Sequence, residues 1–294
     1  MNHNFQPPSE EPTSPTPREA VWVILLSFFF FVFVTILLTA VLGIEMDEAA
    51  VQNSWKVKWM LFFGEISLAL IPYLYLRRKN LPVASTIRWQ HVPASVFWLS
   101  FPMGLSLALL SDEIDRLIQL VIPRSEEATQ ALIAFMKVNS FIEFLPLFLS
   151  AVIAAALIEE AIFRGFLQGV LEKYTHLNRA IIYASLAWTF LHLTPFSLSI
   201  AIPIFLFGYM LGYFTWRTRS IIPAIICHGM NNGLALLYYN IDFSEHVPFY
   251  EWKGQVSPFL IIPAVFVVYK GVQYLETLYR SESLSSSDAS SSDS

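Results

Sequence analysis

The stretch "ALIEEAIFRGF", residues 156–166, places two carboxylates and one guanidinium inside a hydrophobic segment. It overlaps the end of "LPLFLSAVIAAALI", residues 145–158, in which no side chain is charged. A charged side chain at the centre of a bilayer costs at least about 2.5–3.5 kcal/mol, so such residues are rare and usually functional or paired. The stretch therefore predicts a membrane helix with a polar site in it.

The composition of the whole chain agrees with a membrane protein. Of its 294 residues 55% are hydrophobic and only 14% are charged, whereas soluble domains carry roughly 25% charged residues. Several apolar runs approach or exceed the ~18–20 residues that span a bilayer. We predict an all-α, polytopic membrane helix bundle of about eight transmembrane helices, near residues 20–44, 57–76, 92–111, 145–170, 179–194, 197–216, 220–239 and 256–278.

The chain divides by composition into five segments. Polar tails at residues 1–19 (Pro-rich) and 280–294 (Ser/Asp-rich) are predicted to be disordered, because neither can bury enough apolar surface to fold. Between them lie N-terminal transmembrane helices with a connecting loop (20–144), a central helical core (145–240), and a last loop and helix (241–279). The first apolar run shows no clear small-residue cleavage site, which favours a retained helix over a signal peptide.

The loops predict an orientation and two kinds of partner. Basic residues follow the second, fourth and sixth runs in "RRKN", "EKYTHLNR" and "RTR", whereas the intervening loops are acidic or mixed. The positive-inside rule then places both termini in the cytoplasm. The net charge of −5 gives no indication of nucleic-acid binding, so the expected partners are the lipid bilayer and a membrane-associated substrate. The absence of a transit or retention signal favours a bacterial plasma membrane.

Spacing assigns different positions to the polar residues within the later runs. Glu160 and Arg164 are four apart and can pair on one helix face, which leaves Glu159 as the freer carboxylate. Three residues on three different helices also lie at a similar depth, about 20 Å from the cytoplasmic charges at 1.5 Å per residue. They are Glu159 (13 residues before Glu172), His192 (13 after Arg179) and Asn232 (13 after Arg219), with His228 one turn nearer the cytoplasm.

Such a cluster suits hydrolysis. A carboxylate removed from water is a stronger base, and beside a neutral imidazole it can hold and deprotonate a water molecule. A second imidazole and an amide NH₂ offer hydrogen-bond donors to an oxyanion. Together these groups favour general-base hydrolysis of a peptide bond, with no serine or cysteine nucleophile and no covalent intermediate.

Three motifs in this region resemble those of a known family. "EEAIFR" fits the pattern E-E-x-x-x-R, "WTFLH" is similar to F-x-x-x-H and "HGMNN" fits H-x-x-x-N. In this order, on three hydrophobic segments over roughly residues 145–240, they resemble the CAAX-processing and bacteriocin-processing (CPBP, or Abi) intramembrane proteases. Trp188 stands where phenylalanine is usual, and it keeps an aromatic wall.

The resemblance implies an eight-helix bundle whose active site lies inside the membrane and opens toward the cytoplasm. The substrate would be a protein or peptide at or in the membrane; eukaryotic relatives trim the last three residues from prenylated CAAX proteins. The resemblance also implies roles for six residues: Glu159 as general base, His192 as water ligand, His228 and Asn232 as oxyanion donors, and Glu160 with Arg164 as positioning residues.

Other interpretations of these residues remain open. Glu160 with Arg164 could be a buried ion pair that only fixes helix packing, and His228 could only bond a neighbouring helix. Glu65, in the second run, could line the bundle interior or a substrate path, or be paired structurally. We predict no cofactor and no metal, with a zinc site at Glu159, His192 and His228 as the lesser alternative.

Two other functions would also explain intramembrane charges. A proton-coupled transporter could use the carboxylates and histidines as a relay, but the internal repeats that favour a transporter are not apparent. A catalytically inactive membrane adaptor could keep the cluster for packing or for binding a partner. The intramembrane protease is the leading prediction.

Overall fold

The computed structural model describes residues 14–44, 54–193, 198–241 and 243–292, without the side chains of 198, 244 and 281–292. Most of the predicted N-terminal tail (1–13), the acidic loop at 45–53 and the last two residues lie outside this part of the chain. Within it the protein is helical apart from a two-stranded antiparallel hairpin, β1 (Glu251–Trp252) and β2 (Gln255–Val256). The predicted all-α class is confirmed.

The helices follow the predicted apolar runs in order. They are α1 (Pro17–Leu42), α2 (Trp55–Leu68), α3 (Leu70–Arg78), α4 (Val83–Thr86), α5 (Ala94–Gln119), α6 (Glu126–Met136), α7 (Phe141–Leu171), α8 (Leu177–Leu191), α9 (Ala201–Thr218), α10 (Ile222–Asn240), α11 (Phe243–His246) and α12 (Pro258–Ser292). A short 3₁₀ turn, Leu198–Ile200, precedes α9.

Five helical segments in the described chain are long and apolar enough to cross a membrane: α1, α2 together with α3, α5, α7, and α12 as far as Arg280. The helices α8, α9 and α10 occupy the other three predicted runs but do not meet the same criterion of length and hydropathy. The protein is therefore a helical membrane protein with five candidate spans, and the count of eight stays a prediction.

Both outermost helices extend beyond their predicted ends. Helix α1 begins at Pro17, because Thr16 and Glu19 form a reciprocal capping box that starts the helix in the tail. Helix α12 continues to Ser292, where the sequence predicted a disordered tail from residue 280. No proline or glycine follows Gly271 to end the helix, and serine and aspartate alone do not stop a helix that is already formed.

Helix α7 is not a regular α-helix. Two stretches, Phe148–Ala154 and Glu160–Leu167, have the wider π-helical hydrogen-bond pattern, which is rare and frequent at functional sites. Five α-helical residues, Ala155–Glu159, separate them. The second wide stretch begins immediately after Glu159, so the helix changes its winding where its two carboxylates lie.

Helix α7 lies in the interior of the bundle. Its π-helical stretches and the turn between them contact α2, α8 and α10, while α5 packs against α10 and α12, and α1 packs against α2. The core around α7 includes Ile162, Phe163 and Phe166. Gly165 lies against the backbone of Ile87, where a Cβ atom would collide with the carbonyl oxygen. The Gly165 contact holds α7 closely against the end of α4.

Candidate active site

Glu159 lies where α7 and α8 meet. Its side chain is nearly buried, and its Oε2 accepts a hydrogen bond from the indole Nε1–H of Trp188 on α8. His192, one turn beyond Trp188 at the end of α8, places its Nε2 3.7 Å from the same oxygen. The carboxylate is thus held on one side and faces an imidazole on the other.

The hydrogen bonds of His192 determine which of its nitrogens carries a proton. Its Nδ1 lies 2.9 Å from the backbone carbonyl oxygen of Trp188. A carbonyl oxygen only accepts, so Nδ1 carries the hydrogen and Nε2 of the neutral ring has the lone pair. Nε2 and Glu159 Oε2 are then two acceptors at 3.7 Å, too far apart for a direct hydrogen bond. One water molecule can donate to both.

A second acidic centre lies one residue further along α7. Glu160 Oε1 accepts from Arg164 Nη1 at 2.7 Å, as their spacing predicts, and from His228 Nδ1 on α10 at 2.9 Å. All three side chains are almost completely buried. Because the carboxylate accepts, His228 carries a hydrogen on Nδ1, and its Nε2 can donate a second hydrogen bond only when the ring is an imidazolium.

The guanidinium of Arg164 also contacts α8 and α9. It lies 4.3 Å from the ring centroid of Trp188, a cation–π contact, and its Nη2 donates to the carbonyl of Gly208 at 3.3 Å. A Cβ atom on Gly208 would lie 2.8 Å from the Trp188 ring and 2.9 Å from Arg164. The close approach of α9 to Trp188 and Arg164 therefore requires glycine at this position.

The contact between α7 and α9 is repeated one turn further along. Gln168, four residues after Arg164, donates to the carbonyl of Gly212, four residues after Gly208, at 2.9 Å. Gln168 also donates to Glu172, which pairs with Arg88 at the end of α7. The sequence analysis did not identify Gln168, Gly208 or Gly212. The signal was present, because Arg164 and Gln168 on α7, and Gly208 and Gly212 on α9, are each four residues apart and so lie on one face of their helix.

Asn232 joins the site from α10. Its Nδ2 donates to the carbonyl of Ala151 in the first π-helical stretch at 2.8 Å, and its Oδ1 accepts from Asn231 Nδ2 at 3.1 Å. The carbonyl of Ala151 can bond only to the amide nitrogen, so the side-chain orientation is determined. One of the two amide hydrogens is used, and one is left to donate elsewhere.

Trp188 brings these groups together. Its ring is 4.8 Å from that of His192 and 5.5 Å from that of His228, both edge to face. The structure therefore brings six of the seven predicted side chains into one contact group: Glu159, Glu160, Arg164, Trp188, His192 and His228. Asn232 is connected to the same region through the backbone of α7.

Glu65 on α2 also belongs to this interior. Its Oε1 is buried and makes no hydrogen bond within the described part of the chain. This oxygen therefore has no structural partner among the described residues. Its burial agrees with the possibility that Glu65 lines the bundle interior.

The described residues offer little to a metal ion. Among them, no group of three or more histidine, cysteine, aspartate or glutamate side chains is arranged to hold one. Nδ1 of His228 is turned to Glu160, and Glu159 is bonded by an indole N–H. Cys227 is buried and contacts the carbonyl of Ser100 at 3.5 Å, as a packing residue would.

Fold and site define a polytopic helical membrane protein with a cluster of ionisable groups in its interior. The family model for the type II CAAX prenyl endopeptidase Rce1-like proteins matches residues 141–234, from the start of α7 to the middle of α10. This match confirms the family predicted from the three motifs, for the segment that carries all seven site residues, and it supports a peptidase. No curated protein and no solved structure matches the chain.

Proposed function

We propose that the protein is an intramembrane endopeptidase that hydrolyses peptide bonds with a water molecule activated by Glu159. The observation that carries the proposal is the pair of acceptors, Glu159 Oε2 and His192 Nε2, at 3.7 Å. Two acceptors at this separation can both receive hydrogen bonds from one water. His192 is about one-third exposed, so the pair has contact with the space outside the core.

The reaction follows from these positions. Glu159 takes a proton from the bound water as its oxygen attacks the carbonyl carbon of the substrate, forming a tetrahedral oxyanion. Glu159 then gives this proton to the amide nitrogen as the C–N bond breaks, leaving a carboxylic acid and an amine. Water is consumed, and no covalent bond to the protein forms.

Two groups on α10 are suited to bind the oxyanion. Asn232 has one amide hydrogen that Ala151 does not use, and His228 as an imidazolium can donate from Nε2. Glu160 orients the His228 ring, because its Oε1 accepts from His228 Nδ1. Glu160 and Arg164 are therefore proposed as positioning residues that act through His228 and Trp188.

The ion pair itself is not optimised for stability. Glu160 Oε2 and Arg164 Nε are both buried without a hydrogen-bond partner among the described residues. A buried ion pair with unsatisfied atoms contributes little net stability compared with apolar residues of similar size. This observation favours the positioning role over a role in packing alone.

We propose that the reaction needs no metal ion. The amide of Asn232 is a poor zinc ligand and a good oxyanion donor, and Glu160 and Trp188 already bond the groups that the zinc alternative would use. Cleavage by the purified protein should survive a chelator at millimolar concentration. Loss of activity on chelation, restored by zinc alone, would contradict this proposal.

The test of the function is the set of new protein C-termini in membranes, proposed to be those of a bacterial cell. Cells that express the wild type, Glu159→Gln or His192→Ala at matched levels are compared, with Glu172→Gln, immediately after the end of α7, as a control. Termini present with the wild type and the control but absent with both site variants would support proteolysis. Identical termini in all four would favour a transporter or an inactive adaptor.

A further inference from the structure

A cavity of about 250 Å³ lies between α5, α6, α9 and α10, beside the candidate active site. This volume is close to that of about eight water molecules and below the ~300–1,000 Å³ of pockets for drug-sized ligands. Its walls are mostly apolar, with Leu132 and Met136 on α6, Ile204 on α9 and Leu234 on α10. It can hold a short peptide segment rather than a large ligand.

One end of this cavity reaches the proposed oxyanion site. Asn231 lines it, and the amide of Asn231 donates to Asn232 Oδ1 at 3.1 Å. The other end is lined by the ion pair of Asp115 with Arg124, whose atoms are 2.7 Å apart, and by Tyr250. The cavity thus extends from the cluster toward the end of the bundle where α5 ends and α6 begins.

The cavity contains polar groups that the protein itself does not use. Within the described part of the chain, the hydroxyls of Ser111 and Tyr239 make no hydrogen bond, although both residues line the cavity. By contrast, a second cavity between α3 and α7, lined by Pro72, Leu157 and Phe166 among others, has an almost entirely apolar wall. The first cavity therefore has the more polar wall of the two.

These groups match a requirement of a peptide inside a membrane. An extended segment in hydrocarbon leaves its N–H and C=O groups unsatisfied, at several kcal/mol each, unless protein or water bonds them. In a cavity with apolar walls and a few free hydroxyls, the walls can pack against the apolar side chains of such a segment and the hydroxyls can bond to its main chain. A lipid chain needs no hydrogen-bonding groups, and the apolar cavity suits it better.

We infer that the cavity between α5, α6, α9 and α10 binds the substrate polypeptide on one side of the scissile bond. It takes an extended segment with one or two apolar side chains, whose main chain bonds to Ser111 and Tyr239. The inference rests on the proposed function.

The experiment uses a synthetic peptide that spans a cleavage site found with the wild type in membranes. The purified full-length protein in lipid nanodiscs is compared with the double variant Ser111→Ala/Tyr239→Phe, and Tyr274→Phe on the exposed side of α12 is the control. Loss of two hydrogen bonds to the substrate should lower kcat/KM about 5- to 50-fold. Among the described residues neither hydroxyl has a partner, so these substitutions remove no hydrogen bond from that part of the fold.

A second variant tests the volume of the cavity. Ala235→Phe fills it, and Ala69→Phe adds the same bulk to the apolar cavity beside α7. With Ala235→Phe, cleavage should shift at least tenfold toward peptides with glycine or alanine next to the scissile bond, whereas Ala69→Phe should leave this preference unchanged.

The outcomes separate the inference from the proposed function. If the wild type makes termini that depend on Glu159 but the double variant and Ala235→Phe cleave like their controls, the cavity does not bind substrate and the function stands. If no termini depend on Glu159, both proposals are overturned.

Discussion

Trp188 donates a hydrogen bond from its indole N–H to the carboxylate of Glu159, and it occupies the place of the phenylalanine in the pattern F-x-x-x-H that the sequence resembles. A phenylalanine could form the same aromatic wall but has no hydrogen to donate. In this protein the aromatic residue therefore holds Glu159, while its backbone carbonyl fixes the tautomer of His192. The same residue positions both proposed ligands of the attacking water.

We predict that Trp188→Phe lowers kcat by about 10- to 100-fold, since a hydrogen bond to a charged group contributes about 1.5–3 kcal/mol. KM should change little, because the indole N–H is already donated to Glu159. The measurement is peptide cleavage under saturating substrate, with the lipid-facing Trp98→Phe as the matched control. Equal rates for the two variants would contradict the positioning role of Trp188.

Breaking the pair of Glu160 and Arg164 should cost stability as well as activity. Arg164→Met leaves a buried carboxylate with one partner fewer, and we predict a loss of about 3–5 kcal/mol in the free energy of unfolding. Glu160→Leu/Arg164→Met removes both charges and should recover most of this loss, measured by thermal unfolding in detergent.

The double variant also distinguishes the two roles of the pair. Its activity should stay low after stability has recovered, because His228 has lost the carboxylate that orients it. If the double variant recovered both stability and activity, Glu160 and Arg164 would have a role in helix packing only.

The close packing of α9 on the cluster gives a further prediction. Gly208→Ala should displace the Trp188 ring or Arg164, because the new Cβ would lie within 3 Å of both. We expect kcat for peptide cleavage, measured with saturating substrate, to fall at least tenfold. Gly233→Ala on α10 is the control, since its nearest neighbour would be 3.9 Å away. A fully active Gly208→Ala would show that this contact is not needed.

The sequence alone predicted the order of the main helices and the polar side chains that the structure brings together. Intramembrane charges are rare, so Glu159, Glu160, Arg164, His192 and His228 stood out against an apolar background, and the spacing of four predicted the pairing of Glu160 with Arg164. The π-helical winding of α7 could not be predicted, because no local pattern marks where a long apolar helix widens.

Partners that depend on packing between helices were also out of reach. The indole hydrogen bond of Trp188, the carbonyl of Ala151 and the glycines that admit Arg164 and Gln168 all depend on how α7, α8, α9 and α10 approach one another. The start of α1 depended on a local capping box, which "TPRE" contains in the sequence. Helix α8, with 15 residues, is shorter than a simple span, whereas α9 and α10, with 18 and 19 residues, are long enough but less apolar than the five candidate spans.

The stability of the folded protein should depend on pH through Glu251, which lies in the β1–β2 hairpin outside the candidate spans. Hydrogen bonds from Arg116 and Tyr238 hold the pKa of Glu251 below its ordinary value. The ionised carboxylate thus stabilises the folded protein above the unfolded pKa, and this contribution is lost as the pH falls through the folded one. Because the Glu251 side chain is exposed, its ionised form contributes less than about 1 kcal/mol to the free energy of unfolding.

This effect can be measured by the unfolding midpoint between pH 7 and pH 3. The wild type should lose slightly more stability than Glu251→Gln over this range, since the amide does not titrate. Parallel curves for the two proteins would show that the interaction between the hairpin and α5 contributes nothing.

The central claim is that Glu159 activates the water that cleaves a peptide bond. The most direct measurement is the single-turnover cleavage rate of a peptide that spans a cellular cut site, with purified wild type and Glu159→Gln in the same lipid. We predict a rate at least 100-fold lower for Glu159→Gln, because a general base contributes about 10²- to 10⁴-fold, with unfolding midpoints that agree. A Glu159→Gln protein that is folded and cleaves at the wild-type rate would contradict the claim.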